Sequence, residues 1–339
     1  MDRIKSAKDQ ILRVLVNPDT SKLQKLVLLV GAVNLIKLAV KWIPGVLRRL
    51  VGLLKALIPG HLGRALRKTY GGQSYVLVTG STSGIGKAIA KEFARLGFNI
   101  ISVSRNPKKL EMTKNELLAI NPKIDVISIK IDFSRSTELK IFEDLAKRIK
   151  DYDISVLVNN VGVDSLHQLQ DLQIEAIHKQ LSINVFATTM MTKTLIANLR
   201  NRPKRSAVIN LSSLAAELPM PYMSLYCASK AYIEMLTKSL AKENRGKVHF
   251  MSVRPSEVST PMTSNKELDL MTITPEQCAR AILWELAGRW RGTAGHWNHR
   301  VQEGLYRLVP GFLFDFVFER FIVKANYAER GILGEFKPL

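Results

Sequence analysis

Cysteine is scarce in this chain: Cys227 and Cys278 are the only two among 339 residues. Two cysteines this far apart match no zinc spacing and cannot build a disulfide framework, so we expect the part of the chain that holds them to face a reducing compartment. Of the six histidines only His296 and His299 lie close together, and without further ligands nearby they predict no metal site. Internal repeats and low-complexity segments are also missing, which excludes a solenoid protein.

Acidic residues are under-represented, with 29 Asp and Glu against 50 Lys and Arg, a net charge of +21. The excess is concentrated at the front, where residues 1–72 hold 14 basic and 3 acidic side chains. These cations are interleaved with long aliphatic runs, which suit an anionic lipid surface better than a nucleic acid. We therefore expect a membrane as a partner and no nucleic acid.

The membrane expectation rests on residues 23–59. The N-terminus carries acidic residues and lacks a signal-peptide cleavage site, so a secretory signal is not expected. The apolar segment that follows is long enough to span a bilayer, but its polar residues fall within about 60° on a helical wheel. A narrow cationic stripe opposite a broad apolar face predicts a helix in the membrane interface, with a tilted span and a soluble packed helix as alternatives. The stripe consists of Asn34, Lys37, Lys41, Arg48 and Lys55.

A nucleotide-binding pattern begins at Tyr75. A short apolar run, YVLV, is followed by TGSTSGIG and then by a helical stretch, and a glycine motif in this context indicates phosphate binding. The first glycine permits a tight turn, and the other two let the backbone approach the pyrophosphate and the helix approach the strand. The cofactor-binding residues predicted here are Gly80, Ser83, Gly84, Ile85 and Gly86.

The second predicted strand, Asn99–Ser104, ends at Arg105. An acidic side chain at this place bonds the ribose 2′-hydroxyl of NAD, whereas an arginine pairs with the 2′-phosphate of NADP. The sequence therefore predicts NADP(H) as the cofactor. Because cells usually keep that cofactor reduced, carbonyl reduction is the expected direction.

Tyr226 and Lys230 are four residues apart on a predicted helix and so lie on one face of it. An unperturbed tyrosine has a pKa near ~10 and is a poor proton donor or acceptor at neutral pH. A neighbouring cation stabilises the phenolate, which predicts a lowered pKa for Tyr226 and a role in acid–base chemistry. Taken alone, most pairs with this spacing lie on helix surfaces.

Taken in order, TGxxxGxG, NNVG, a serine thirteen residues before the tyrosine, and YxxxK resemble the signature of the short-chain dehydrogenase/reductases, from about Ser74 to Met262. The resemblance implies an α/β fold with a Rossmann-type, doubly wound parallel sheet. It implies a catalytic set in which the serine polarises the carbonyl, the tyrosine supplies the proton, the lysine lowers the tyrosine pKa and holds the nicotinamide ribose, and an asparagine anchors a relay water. In this chain these are Ser213, Tyr226, Lys230 and Asn184.

The resemblance also implies cofactor contacts outside the glycine turn. Asp132 matches an adenine contact and Asn159 the residue after the fourth strand. A P-x-x-V-x-T loop that seats the nicotinamide matches Pro255, Val258 and Thr260. Ser256 stands where a glycine often follows that proline, which leaves the local backbone shape open.

A narrower resemblance joins the chain to the membrane-bound 17-beta-hydroxysteroid dehydrogenase and very-long-chain 3-oxoacyl-CoA reductase branch. It rests on the apolar basic leader, NNVG, SLYCASK and TPEQCARAILWELAGRW. The branch implies a lipid ketone substrate, most directly a 3-oxoacyl-CoA or a steroid, and the endoplasmic reticulum. The dilysine tail usual in that branch is missing, and a basic amphipathic leader also suits a mitochondrial membrane.

These patterns predict three regions: a membrane-attachment segment (1–72), the catalytic domain (73–300) and an apolar C-terminal extension (301–339). The extension lines the substrate channel with Phe312, Phe314, Phe316 and Phe318 or, alternatively, packs as core, dimer or membrane contact. A second copy or a larger membrane complex is a further expected partner. The alternative to an enzyme is an accessory subunit of a membrane complex that holds the nucleotide without turnover.

Overall fold

The computed structural model describes residues 58, 60–269, 271–290 and 292–308. Most of the predicted membrane-attachment segment, residues 1–57 and 59, lies outside the described residues. The four phenylalanines of the C-terminal extension also lie outside them. Within the described part, none of the helices combines the length and the apolar character needed to cross a bilayer. Contacts between Cα atoms divide the chain after His61, and the fold described below is that of the described residues from His61 to 308.

Strands and helices alternate along the described chain, as the spacing of its apolar runs predicts. Short 3₁₀ turns follow β3, β5 and β6, and one π-helical turn, Ser182–Phe186, joins α5 to α6. The elements are α1 (His61–Tyr70), β1 (Tyr75–Thr79), α2 (Gly84–Arg95), β2 (Asn99–Ser104), α3 (Pro107–Ile120), β3 (Val126–Lys130), α4 (Lys140–Ile149), β4 (Ile154–Asn159), α5 (Ile174–Leu181), α6 (Ala187–Asn201), β5 (Ser206–Leu211), α7 (Ser224–Glu243), β6 (Val248–Val253), α8 (Pro275–Ala287), β7 (Gly292–Thr293) and α9 (Trp297–Leu308).

The strands of the described residues form one parallel sheet in the order β3-β2-β1-β4-β5-β6-β7. The chain starts in the middle with β1, builds one half through β2 and β3, and then returns to place β4 beside β1. This is the doubly wound arrangement, and the prediction of a Rossmann-type sheet is confirmed. Ligands of such sheets bind beyond the carboxyl ends of the strands at the point where the strand order reverses, here between β1 and β4.

Both faces of the sheet are buried, because alternate residues of each strand point to opposite sides. On β1, Val76 and Val78 pack with residues of α2 and α8, whereas Leu77 packs on the opposite face with residues of α4 and α6. All three side chains are fully buried. This two-sided core holds the strand ends rigidly, which is what a site built from several loops needs.

The first helix, α1, belongs to this core although it falls within the segment 1–72 predicted to attach to a membrane. Leu66 and Tyr70 are fully buried among residues of the sheet, and the Tyr70 hydroxyl lies 3.1 Å from Nδ1 of His249. At the other end, α9 crosses the predicted boundary between residues 300 and 301. Periodicity alone does not locate these boundaries, because an amphipathic helix shows the same periodicity whether its apolar face meets a bilayer or the protein's own sheet.

Candidate active site

The glycine turn between β1 and α2 has the backbone that its sequence predicts. Gly80 and Gly84 have φ angles of +64° and +53°, in the left-handed region that side chains avoid. A Cβ on Gly84 would also lie 3.1 Å from Cγ2 of Thr260, so this glycine lets the turn approach the loop after β6. Ser83 precedes the helix without a side-chain cap, and the amide end of α2 therefore faces the turn as an anion-binding terminus.

Asn160, the second asparagine of NNVG, holds this turn from the β4 side. Its Nδ2 donates to the carbonyl oxygens of Thr79 and Gly80, at 2.9 and 3.2 Å, and its backbone N–H donates to Oγ1 of Thr79 at 3.0 Å. A Cβ on Gly86 would come within 2.3 Å of the same Nδ2. Sequence reasoning missed Asn160, although its place in the NNVG motif was the available signal.

Polar groups also converge at the ends of β2 and β3. Oγ1 of Thr82, in the turn, lies 2.9 Å from Oγ of Ser104, next to the exposed Arg105. Asp132 accepts hydrogen bonds from the backbone and hydroxyl of Ser134, at 3.0 and 2.9 Å. Burial acts to raise the pKa of Asp132, but those bonds and the charge of Arg105 outweigh it and lower the pKa. The predicted 2′-phosphate and adenine contacts therefore lie on one side of the glycine turn.

The predicted catalytic residues meet at the carboxyl end of β5 and the first turns of α7. Ser213 follows β5, and its hydroxyl is hydrogen-bonded to the hydroxyl of Tyr226. Lys230 is 5% exposed, and its Nζ lies 5.5 Å from the centre of the Tyr226 ring and donates to the carbonyl oxygen of Leu211 at 2.9 Å. The structure thus brings together the serine, tyrosine and lysine that the sequence separates by up to seventeen positions.

The electrostatics of this group differ from the prediction in one respect. Burial raises the pKa of Tyr226 and outweighs the lowering effect of the hydrogen bond from Ser213. Burial also lowers the pKa of Lys230 to about 8, against the opposing charge of Asp164. The expected lowering of the tyrosine pKa is therefore not seen in the protein alone, because loss of solvation outweighs the favourable contacts of the phenolate and the Lys230 ammonium group donates to the Leu211 carbonyl. A protonated tyrosine at neutral pH is the form that a proton donor requires.

Asn184 lies in the π-helical turn, a local distortion often found at functional sites. Its Oδ1 accepts from the N–H of Val163 at 2.9 Å, and its Nδ2 donates to the Val163 carbonyl at 2.8 Å and to Oγ of Ser229 at 3.0 Å. The side chain thus ties the loop after β4 to α7, and both amide hydrogens are used. The anchoring of a relay water stays a prediction and would fall to the oxygen atoms of Asn184.

Asn159 is placed differently from the other predicted cofactor residues. It is the last residue of β4, is 3% exposed, and donates from Nδ2 to Oγ1 of Thr192 and Oδ1 of Asn210. This side chain therefore lies inside the sheet domain, and a cofactor contact by Asn159 would have to use its backbone. Its predicted role is untested.

The loop Pro255–Thr260, called here the nicotinamide loop, closes the site from the β6 side. Val258 pairs with Ile273, and Thr263 Oγ1 accepts the N–H of Thr260 at 3.0 Å and donates to the Val258 carbonyl at 2.7 Å. The side chain of Thr260 faces Gly84, as described above. The predicted contacts Pro255, Val258 and Thr260 therefore lie opposite the glycine turn.

A cleft of about 590 Å³ opens between the segment after Ser213 and α7. On α7 the cleft is lined by Ser224, Cys227, Ala228 and Ala231, which lie on a face of the helix different from that of Tyr226 and Lys230. The other wall is the segment from 215 to 221, which includes Leu218, Pro219, Met220 and Pro221. Apolar side chains therefore line the cleft on the two consecutive segments that follow Ser213 and that carry Tyr226 and Lys230.

The family model described as short chain dehydrogenase matches residues 74–270, more than half of the chain. The chain belongs to this family. It is 32% identical to a putative steroid dehydrogenase of Caenorhabditis elegans over 80% of its own length and 87% of that protein. It is 33% identical to a very-long-chain 3-oxoacyl-CoA reductase of the same organism, over 73% and 79% of the two chains.

Solved structures agree on the fold. A short-chain dehydrogenase from Sphingobium yanoikuyae in complex with NADPH superposes with a TM-score of 0.60 at 23% identity, covering 70% of this chain and 96% of that one. The predicted resemblance is confirmed, both to the family and to its steroid dehydrogenase and 3-oxoacyl-CoA reductase relatives. The prediction of an oxidoreductase is confirmed with it. The roles of the individual site residues stay predictions.

The residues of this short chain dehydrogenase fit a dinucleotide. Gly84 leaves open the space between the turn and Thr260 that a Cβ would fill, and the N-terminus of α2 faces the same turn. Arg105 supplies an exposed cation at the end of β2, and Lys230 supplies a buried one near Gly162 of the loop after β4. Cationic side chains thus lie at the end of β2, on one side of β1, and beside the loop after β4, on the other side.

Proposed function

We propose that this short chain dehydrogenase uses NADPH to reduce a keto group on a lipid, with a 3-oxoacyl-CoA as the first candidate and a 17-keto steroid as the second. The observation that carries the proposal is the hydrogen-bonded Ser213–Tyr226 pair with Lys230 behind it, next to a largely apolar cleft. The relatives named as 3-oxoacyl-CoA reductase and steroid dehydrogenase support both substrate classes.

The cofactor is NADP(H). Arg105 at the end of β2 is the cation that a 2′-phosphate requires, and no acidic side chain follows directly to favour a free 2′-hydroxyl, since Asn106 and Pro107 come next. The structural neighbour complexed with NADPH supports the same choice. When bound, the cofactor supplies the hydride.

The proton chemistry falls to the chain's own residues. Tyr226 donates its hydroxyl proton to the ketone oxygen, and its raised pKa keeps that proton in place until the oxygen becomes basic. The Ser213 hydroxyl, already hydrogen-bonded to Tyr226, donates to the same oxygen and stabilises its developing negative charge. Lys230, protonated below pH about 8, then stabilises the phenolate that remains.

We place the protein at a membrane, with the endoplasmic reticulum as the first candidate. The basic apolar leader supports this, although it lies outside the described residues. On α9, Trp297, Val301 and Leu305 follow one another at intervals of four residues and are 52–69% exposed, which gives the helix an apolar outer face. Fractionation of the tagged chain against markers of the endoplasmic reticulum and mitochondria tests the location.

The direct test of the function is a substrate panel with the purified full-length chain. We expect the absorbance of NADPH to fall with a 3-oxoacyl-CoA or a 17-keto steroid, and the product to be the corresponding alcohol by mass spectrometry. Small water-soluble ketones should react far more slowly, because they leave the apolar cleft unfilled. NADPH that binds but is consumed with none of these lipids would favour the accessory-subunit alternative.

Charge reversal at position 105 tests the choice of cofactor. We expect Arg105→Glu to raise the KM for NADPH by about 10–100-fold, the cost of losing a charge-assisted hydrogen bond, and to lower the KM for NADH. Lys108→Glu is the matched control, because it makes the same charge change at an exposed position on the following helix. Equal effects of the two substitutions on the KM for NADPH would show that Arg105 acts only through the overall charge of this surface and makes no specific contact with the cofactor.

A further inference from the structure

His299, from the HWNH motif, lies against the back of the nicotinamide loop. It is fully buried, although it stands on α9, more than forty positions after the loop that it touches. Its Nδ1 accepts the backbone N–H of Ser256 at 3.3 Å, and its Nε2 lies 3.1 Å from the carbonyl oxygen of Glu257. One imidazole ring therefore contacts the backbone of two consecutive residues of the loop.

These two contacts determine the protonation state and the tautomer of the His299 ring. An imidazole with its proton on Nε2 donates to Glu257 and accepts from Ser256, whereas a doubly protonated ring would meet the Ser256 N–H with a second donor. Burial, helped by the nearby His296, lowers the pKa of His299 to about 4, against the carbonyls of Glu257 and Ala294, which act to raise it. The Glu257 carboxylate, the other charged group here, is paired with Lys266 at 2.7 Å. The ring is therefore neutral at physiological pH.

The loop has other anchors as well: the Pro255 carbonyl accepts the Leu214 N–H at 3.0 Å, and the Glu257 carbonyl also accepts the Ile273 N–H at 3.3 Å. Before it, the N–H of Arg254 donates to the Thr293 carbonyl at 2.7 Å, and the Arg254 guanidinium binds Glu234 and, on α9, Glu303. At the end of the loop, Thr260 lies against Gly84 of the glycine turn. Ser256 and Glu257 lie between Arg254 and Thr260, and Ser256 stands where a glycine is more usual.

We propose that His299 is a positioning residue that fixes the peptide groups of Ser256 and Glu257 and so sets how deeply the nicotinamide sits. The proposal rests on the proposed NADPH-dependent function, since the loop matters only if a nicotinamide binds there. Without His299 the Ser256 N–H would lose its partner and the Glu257 carbonyl would keep only its contact with the Ile273 N–H, which costs free energy, so the loop would shift to satisfy these groups elsewhere. Both nitrogens of His299 serve the backbone in this arrangement, which explains the HWNH motif without a metal.

The test compares His299→Phe with His299→Gln in the full-length chain. The phenylalanine keeps the bulk and removes both hydrogen bonds, whereas the glutamine amide has a donor and an acceptor separated by one carbon, as the imidazole does. We expect His299→Phe to raise the Kd and KM for NADPH about tenfold, equivalent to ~1.4 kcal/mol, and to lower kcat less. His299→Gln should restore most of that affinity, and the KM for the ketone at saturating NADPH should stay unchanged.

His296→Phe is the matched control, because it alters the other histidine of the motif, whose Nδ1 accepts the N–H of Asn298 and for which no hydrogen bond to the loop is described. This variant should bind NADPH like the wild type. Equal affinity of His299→Phe and the wild type would overturn the inference, as would an equal loss in the glutamine and phenylalanine variants, which would indicate packing alone. A wild type that fails to bind NADPH would overturn the proposed function itself.

A measurement on the wild type does not depend on the variants folding. We expect the ¹⁵N resonances of the His299 ring to show the neutral form with the proton on Nε2 between pH 6 and 8. A protonated ring, or the opposite tautomer, would contradict the proposal because neither can accept from Ser256 while donating to Glu257.

Discussion

Tyr226→Phe is expected to reduce kcat for ketone reduction by about 10²–10⁴-fold, the usual contribution of a positioned general acid. Removing the hydroxyl leaves no proton donor at the oxygen and breaks the hydrogen bond with Ser213, while the ring still fills its place beside Lys230. The Kd for NADPH should change less than threefold in the variant, since phenylalanine retains the packing around the nicotinamide site. Stopped-flow consumption of NADPH and equilibrium fluorescence titration measure the two quantities on the same protein.

Tyr232→Phe provides the matched control for that experiment. Tyr232 stands six residues further along α7, is 40% exposed, and shares a hydrogen bond only with Thr189, at 3.0 Å, among the bonds described. Its loss should leave kcat unchanged. Retained turnover in Tyr226→Phe would remove the tyrosine from the mechanism and leave the fold as the main support for an oxidoreductase.

The pH dependence of the wild type checks the same group of residues. Lys230 has its pKa lowered to about 8, so its charged form is present below that pH and is lost as the pH rises through it. We expect kcat/KM for ketone reduction to fall as the pH rises through about 8. In Lys230→Met this alkaline decrease should disappear, and kcat/KM should be much lower at every pH. A profile that is flat to pH 10 would contradict the role of the ammonium group.

Gly86→Ala should be the most damaging single methyl group in the cofactor site. The added Cβ would lie 2.3 Å from Nδ2 of Asn160 and 2.5 Å from the carbonyl oxygen of Gly80, distances that require movement. Asn160 cannot yield easily because its amide already binds Thr79 and Gly80. Overpacking of this kind costs about 1–3 kcal/mol, and the turn that shifts to relieve it is the one that would bind the pyrophosphate.

We therefore expect Gly86→Ala to lose at least about tenfold in NADPH affinity and to lower Tm by several degrees, measured by fluorescence titration and thermal unfolding. Gly304→Ala is the matched control: among the described residues, no atom lies within 4 Å of the Cβ position of this helical glycine on α9. There the alanine should stabilise the helix by up to about 1 kcal/mol. Normal NADPH binding by Gly86→Ala would show that the turn tolerates displacement and does not hold the cofactor closely.

The structure also shows where reasoning from local patterns stops. The expectation that Lys230 lowers the pKa of Tyr226 follows from their spacing on a helix, but the net shift is upward because burial dominates and burial is not a property of two residues. Residues 61–70 look like the end of a membrane segment because their apolar period is helical, yet Leu66 and Tyr70 pack against the sheet. An apolar helix face predicts that the face is buried, but it does not predict whether a bilayer or another part of the protein buries it.

The sequence by itself determined the order of strands and helices, the glycine turn, the cation at position 105 and the Tyr226–Lys230 pair, because each depends on residues close together in the chain. Left-handed glycines, alternation along a strand and a four-residue helical repeat are local constraints that leave a readable pattern. Only the tertiary structure decided that His299 contacts the nicotinamide loop, that Asn160 blocks a side chain at Gly86, and that Asn159 turns its amide into the sheet domain. Those contacts join distant segments through packing, and such packing leaves no periodic signal in a single sequence.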